Sequence, residues 1–143
     1  MLTTVEKVIF LQEVDILEQT STENLAHIAA ITEEVHVGES EVVYREGEIS
    51  DSMYLVIEGK IRLHKNGHDI MVAGKKDAFG TWALLDDEVR MVTAVALEES
   101  LLLKIGKDDF YDLLADNVQI TQGIIKYMAN KLRSLAGRAG GQQ

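Results

Sequence analysis

The sequence predicts an α+β domain in which an antiparallel β jelly roll (a double-stranded β-helix) is flanked by N-terminal and C-terminal helices. Three observations carry this reading. Apolar residues recur at helical spacing at both ends of the chain, and the middle breaks into short runs rich in Val, Ile, Leu, Tyr and Thr. Gly38, Gly47, Gly59, Gly67 and Gly80 punctuate those runs at intervals of 9, 12, 8 and 13 residues, which suits many short strands joined by tight turns.

Taken in order, residues 4–34 read as a helical hairpin. Val5, Val8, Ile9, Leu11 and Ile16 follow a near-helical period, and Thr20-Ser21-Thr22-Glu23 gives a capping-box start for a second helix with Leu25, Ile28, Ala29 and Ile31 on one side. Residues 35–105 form the β-roll, with YLVI, KIRLHK and HDIMVA as strands. Asn66-Gly67 between the last two is a hairpin signal, because both positions of the favoured turn need positive φ. From Lys107 the helical period returns. KDDFYDLL makes a short helix, and Ile120, Ile124, Met128, Leu132 and Leu135 mark a stripe on a longer one. Gly123 weakens that helix by about 1 kcal/mol relative to alanine. The C-terminal helices end near 136, so residues 1–136 form one domain, and AGRAGGQQ from 136 onwards supplies a flexible tail over 137–143.

The 143 residues are 46% apolar and 27% charged, with no cysteine. That balance fits one globular domain and excludes disulfides and thiolate metal sites. No run approaches a membrane span, so a cytoplasmic location without membrane insertion is expected. A net charge of -10 argues against direct nucleic-acid binding. The four cations after Asn117 (Lys126, Lys131, Arg133 and Arg138) suit the negative end of a helix dipole. His64 and His68 flank the predicted two-residue turn, so Lys65 pairs with His68, His64 pairs with Asp69, and the two imidazoles face opposite sides. No metal site is expected from them. No nucleophile elbow, P-loop or HExxH pattern is present, so no catalytic residue is assigned and the chain is read as non-enzymatic.

Residues 79–94, FGTWALLDDEVRMVTA, contain the sharpest candidate site. Gly80 allows close approach of a ligand to the backbone, and Trp82 to Leu85 can form a first helical turn whose free amides favour an anion. Arg90 opens the next extended run and can give two hydrogen bonds to a phosphate. The bland alternative pairs Arg90 with Asp87 or Glu88.

Residues 46–63, EGEISDSMYLVIEGKIRL, and the segment FGTWALLDDEVRMVTA together resemble two signatures of the cyclic nucleotide-binding domain family, the regulatory domains of the catabolite activator protein and protein kinase A regulatory subunits. Gly47, Asp51, Tyr54 and Gly59 match the first hairpin signature. The second resembles the phosphate-binding cassette, F-G-E-L-A-L followed by a short loop and P-R-x-A-T. The resemblance runs over about residues 8–135. It implies that Gly80 and Ala83 present amides to a cyclic phosphate and that Arg90 pairs with its charge. It places Thr81 where the family has the glutamate that holds the ribose 2′-hydroxyl, a neutral acceptor in place of an ionised one. Trp82 replaces a medium aliphatic residue, Val89 stands for proline, and Met91 and Val92 replace small neighbours of the arginine.

The implied function is a regulatory ligand-sensing module that binds a cyclic nucleotide and signals through its C-terminal helix to an effector or partner outside this chain. Met91 occupies the position where threonine accompanies cGMP binding, which favours cAMP. Tyr127 and Met128 are the candidate base cap, and Gly123 a bending point. No cofactor is expected other than the nucleotide ligand. The apolar stripe of the last helix equally suits a homodimer seam. Only eight residues follow Leu135, too few for a helix-turn-helix. The alternative is a degenerate fold that binds no nucleotide and serves dimerisation or protein contact, and a third reading is a pocket altered for another small anion.

Overall fold

A computed structural model describes residues 1–139. Helix α1, Thr4–Leu11, opens on a reciprocal cap: the Thr3 hydroxyl accepts the Glu6 N–H at 3.1 Å and the Glu6 carboxylate accepts the Thr3 N–H at 2.9 Å. These two bonds satisfy two otherwise free donors and hold the Glu6 carboxyl below its ordinary pKa. The capping box therefore belongs to α1 and not, as the sequence suggested, to α2. Helix α2, Thr22–Ala29, is capped by Ser21 alone, which accepts from the Asn24 N–H at 3.2 Å. Glu23 sits one position too early to reach back. A 3-10 turn, Asp15–Leu17, separates the two helices.

The helical segment is also shorter than its expected end at 34. The Thr32 hydroxyl donates to the Ala29 carbonyl at 2.8 Å, and the chain turns directly into β1, Thr32–Val37. Glu33 lies across from Lys104 of β8, Ser100–Gly106, in that pairing. A cross-strand charge pair and a β-branched residue favour strand over a further helical turn.

Among the described residues, eight strands make two four-stranded antiparallel sheets. The first has the order β1-β8-β3-β6 and the second β2-β7-β4-β5, where β2 is Val42–Tyr44, β3 Ser52–Glu58, β4 Ile61–Lys65, β5 His68–Ala73, β6 Ala78–Phe79 and β7 Thr93–Ala96. The Asn66-Gly67 hairpin forms as predicted, with φ of 52° and 79°. Its register pairs Lys65 with His68 and His64 with Asp69.

The first sheet is covered on both faces. Met53, Leu55, Leu103 and Ile105 point to the helices, where they pack with Leu11, Leu25, Ile28, Phe110 and Ile120. Tyr54, Val56 and Leu102 point the other way, into the space between the sheets, with Ile61, Phe79 and Ala94. This explains the unbroken apolar run of β3, since a strand buried on both sides has no polar alternate positions. Each large side chain so buried contributes about 1.5–3 kcal/mol.

Helix α3, Lys107–Asp116, and helix α4, Val118–Ala139, complete the domain. Gly137 to Ala139, expected in a flexible tail, continue α4, while the rest of that expected tail, 140–143, lies outside the described residues. The α4 stripe is divided. Ile120 and Ile124 are buried, whereas Leu132 and Leu135 are exposed and Met128 is near the surface. Gly123 is a packing residue: a Cβ there would lie 3.2 Å from the Gln19 carbonyl oxygen, so its absence lets α4 cross the backbone ahead of α2.

Candidate ligand-binding site

Strand β6 is only two residues long, but its pairing of Phe79 with Tyr54 fixes the entrance to the cassette. Phe79 stacks on Tyr54 with ring centroids 5.3 Å apart and lies 6.0 Å from Tyr44. The chain then turns at Gly80, with φ 72° and ψ 18°, into a 3-10 turn over Thr81–Leu84. Glycine is required here twice over. Its backbone is left-handed, and a Cβ would come within 2.8 Å of Arg90 Nη1 and 3.3 Å of the Ser52 carbonyl oxygen. Ala83 and Leu84 bury themselves beneath the turn and anchor it. The Ala83 amide closes the turn on the Gly80 carbonyl at 3.1 Å.

Arg90 is the centre of the site. It is only 4% exposed. Its main chain is gripped by the loop after β2: the Arg90 N–H donates to the Glu48 carbonyl and the Gly47 N–H donates to the Arg90 carbonyl, both at 2.8 Å. The Glu46 N–H adds a bond to Thr93 Oγ1 at 3.0 Å. These bonds join the two sequence signatures physically, for the first positions the arginine of the second. The guanidinium lies over the Tyr44 ring at 3.8 Å and donates from Nη2 to Ser52 Oγ at 3.2 Å. The nearest carboxylate oxygen, on Asp51, is 3.7 Å away and its side chain is largely in solvent. Nε and Nη1 are buried and have no hydrogen-bond partner. A desolvated cation with unpaired donors is costly, and the chemistry that relieves it is an anion that accepts from the guanidinium. The pairing with Asp87 or Glu88 considered from the sequence does not form: Asp87 is held by Lys107.

Gly80, Thr81, Trp82, Ala83, Arg90, Met91 and Val92 all border one cavity of about 490 Å³, together with Tyr44, Leu63 and Met71. The bulk of Trp82 and Met91 stands at the rim, where both are mostly exposed. Tyr127 and Met128 do not border this cavity. They line an adjoining groove of about 640 Å³ between α4 and the cassette, which shares Met71, Ala78, Thr81 and Trp82 with the cradle. Sequence reasoning missed Tyr44, Ser52 and Met71. Each comes from a different strand, and nothing in their local pattern ties them to residue 90.

Electrostatics follow from this burial. The Tyr44 hydroxyl is pushed up to about 12 by desolvation, with the Arg90 charge opposing and Tyr54 reinforcing the rise. At the outer edge, Lys107 Nζ donates to the Asp86 carbonyl and the Asp87 carboxylate. That contact lowers the Asp87 carboxyl below its usual value and raises the Lys107 ammonium above its own. Lys107 is the first residue of α3, so one ion pair ties the cassette loop to the C-terminal helices.

The profile of the family described as Cyclic nucleotide-binding domain matches residues 34–117, more than half of the chain. The chain belongs to that family. Among curated relatives, this cyclic nucleotide-binding domain is 26% identical over 114 residues to the CRP-like cAMP-activated global transcriptional regulator of Mycobacterium tuberculosis, covering 74% of this chain and 51% of the relative. It is 30% identical over 119 residues to the lysophospholipase nte1 of Aspergillus fumigatus, covering 80% of this chain but 8% of that enzyme. The chain thus spans about half, or far less, of the curated proteins it matches. The N-terminal domain of a transcriptional regulator from Streptomyces coelicolor A3(2) superposes with a TM-score of 0.83 at 26% identity, covering 89% of this chain and 92% of that one. Among the described residues, no helix is long and apolar enough to cross a membrane.

Proposed function

We propose that this domain is a regulatory ligand-sensing module that binds a cyclic nucleotide, cAMP in preference to cGMP, and passes its occupancy through the C-terminal helices to an effector or partner. One observation carries the proposal. Arg90 is buried in a cavity that Gly80 keeps open, and two of its nitrogens have no partner. A cyclic phosphate complements that cation in charge and supplies acceptors for it, which would offset the cost of its desolvation. The family match and the cAMP-activated relative supply the nucleotide as the expected bearer of the phosphate. The link from Lys107 to the Asp86–Asp87 loop supplies a route from cassette to helix.

The test is isothermal titration of the domain with cAMP and with cGMP, beside Arg90→Met and Thr81→Glu. Truncating a buried, hydrogen-bonded charge costs about 2 kcal/mol or more, so Arg90→Met should weaken cAMP at least about thirtyfold. Thr81→Glu, by restoring an ionised acceptor, should tighten it about tenfold. Equal affinity in wild type and Arg90→Met would refute the assignment of the cradle.

A second reading is favoured by one specific feature. Ile125, Leu132 and Leu135 leave an apolar strip on the outer half of α4, which suits self-association or protein contact without a nucleotide. Since Ile124 is a core residue, Leu132→Asp is the informative change. A dimer that dissociates in sedimentation velocity when Leu132 becomes Asp supports this reading, and a wild type already monomeric removes its homodimer form.

A further inference from the structure

Trp82 has no structural task that accounts for it. It is the sole tryptophan of the chain and is 70% exposed, whereas a ring of this size normally goes towards the interior or an interface. Its backbone is not mobile: the Trp82 carbonyl accepts both the Leu85 and the Asp86 N–H, at 2.9 and 3.1 Å, and the next two side chains are buried. A large flat surface is thus carried on a fixed backbone at the junction of two cavities. One is bordered by Arg90, whose buried Nε and Nη1 have no hydrogen-bond partner, and the other is an apolar groove reaching Leu85, Met128 and Leu132. An anion seated on Arg90 has to direct the rest of its structure past Thr81 and Trp82, because these residues border both spaces.

We propose that Trp82 is the stacking platform for the planar base of the ligand, and that selectivity in this site rests on that stacking more than on the sugar. The inference builds on the cyclic-nucleotide reading and specifies it further. The charge complementarity is supplied by Arg90. Thr81, the residue between the anion site and the indole, offers a neutral hydroxyl. A neutral bond is worth less than one to a charged group, while stacking a base on an aromatic ring contributes enough for its loss to weaken binding roughly tenfold or more. The ligand class is therefore a phosphate diester or monoester joined to a flat aromatic body, with little dependence on the 2′-hydroxyl.

The deciding experiment titrates cAMP and 2′-deoxy-cAMP into wild type, Trp82→Leu, Trp82→Phe and Arg90→Met, following heat in all and tryptophan fluorescence where the indole remains. The exposure of Trp82 makes both of its variants safe for the fold. Wild type should bind the two nucleotides within about threefold, with quenching of its single tryptophan. Trp82→Leu should lose about tenfold on both ligands, and Trp82→Phe should stay within about threefold of wild type, since a smaller ring still stacks. Arg90→Met should show neither heat nor quenching. Heat that depends on Arg90 but is indifferent to Trp82→Leu would overturn the platform and leave the cradle standing. A loss of thirtyfold or more on removing the 2′-hydroxyl would overturn the claim about the sugar. No heat with wild type and either nucleotide would remove both the platform and the nucleotide reading.

Discussion

The cradle and the groove meet at Thr81 and Trp82, yet they are built in opposite ways. The cradle is assembled from four separate stretches of chain, and its central side chain is fixed before any ligand arrives. Arg90 has its main chain bonded to residues 47 and 48, its guanidinium on Tyr44, and Gly80 pressed against it. The groove has one firm wall, the cassette and β5, and one wall that leaves the core: α4 is buried at Ile120 and Ile124 but surfaces at Leu132 and Leu135. Under the function proposed above, the contrast separates two tasks. Recognition of charge needs preorganisation, because a desolvated cation cannot be improvised at the moment of binding. Accommodation of an apolar body, and any signal that follows from it, needs a wall with little of its own burial to lose.

Alkaline pH is the strongest way to sharpen that contrast. Tyr44 is 7% exposed and keeps its proton to about 12 in the folded protein, against an ordinary value of 10.0. Because the folded value is raised, the folded state holds the proton more tightly than the unfolded chain does. Its contribution is fully present below pH 10 and is lost as pH climbs towards 12, by about 2–3 kcal/mol over that window. Tyr127, on the groove side, is also raised by desolvation but is only partly buried. Denaturant titrations between pH 9 and 12 should therefore show a falling limb that Tyr44→Phe flattens and Tyr127→Phe barely changes. An identical limb in Tyr44→Phe and wild type would mean that the cradle is open to water.

Mutating the two halves of α4 tests the other wall. Gly123→Leu must displace the Gln19 backbone, whose carbonyl oxygen stands 3.2 Å from the new Cβ, and overpacking of this kind costs about 1–3 kcal/mol. Leu132→Ser, on the exposed half, should stay within about 0.5 kcal/mol in thermal unfolding. Equal losses would show that the outer half of α4 is packed as firmly as the inner.

Much of this was legible in the sequence, and the failures have physical causes. Strands and hairpin were readable because β pairing leaves a local mark: Asn66-Gly67 sets a turn, and the turn sets the register for its neighbours. Gly80 and Arg90 by themselves only suggested an anion cradle, and the resemblance of FGTWALLDDEVRMVTA to a family signature is what singled out the cassette. The cap of α2 was misplaced by one residue, since Thr20, Ser21 and Thr22 can all cap and only the packing of Leu25 and Ile28 selects among them. Gly123 looked like a weak point because helix propensity sees only its own helix, and the reason for the glycine lies across the interface at Gln19. Tyr44 and Ser52 were invisible as site residues for the same reason. Each is an ordinary strand residue until the roll folds it beside residue 90.

The ion pair between Lys107 and Asp87 gives the smallest expected effect and bears most directly on how the two regions communicate. Asp87 is almost wholly in solvent, and exposed pairs contribute little, so Lys107→Met should scarcely alter stability. Its signs on the pH axis oppose each other. The lowered Asp87 carboxyl gives a contribution that is present above its ordinary 3.8 and fades as pH falls through the folded value beneath it. The raised Lys107 ammonium gives one that persists below 10.5 and fades as pH rises through a folded value above it. Between those limits the tie is intact. Its effect should appear in exchange kinetics: amide hydrogen exchange in residues 85–88 and in the first turn of α3 should speed up together in Lys107→Met, with β3 and β8 unchanged. Faster exchange in the loop alone would leave the cassette without this tie to the helices and would remove it as the proposed route.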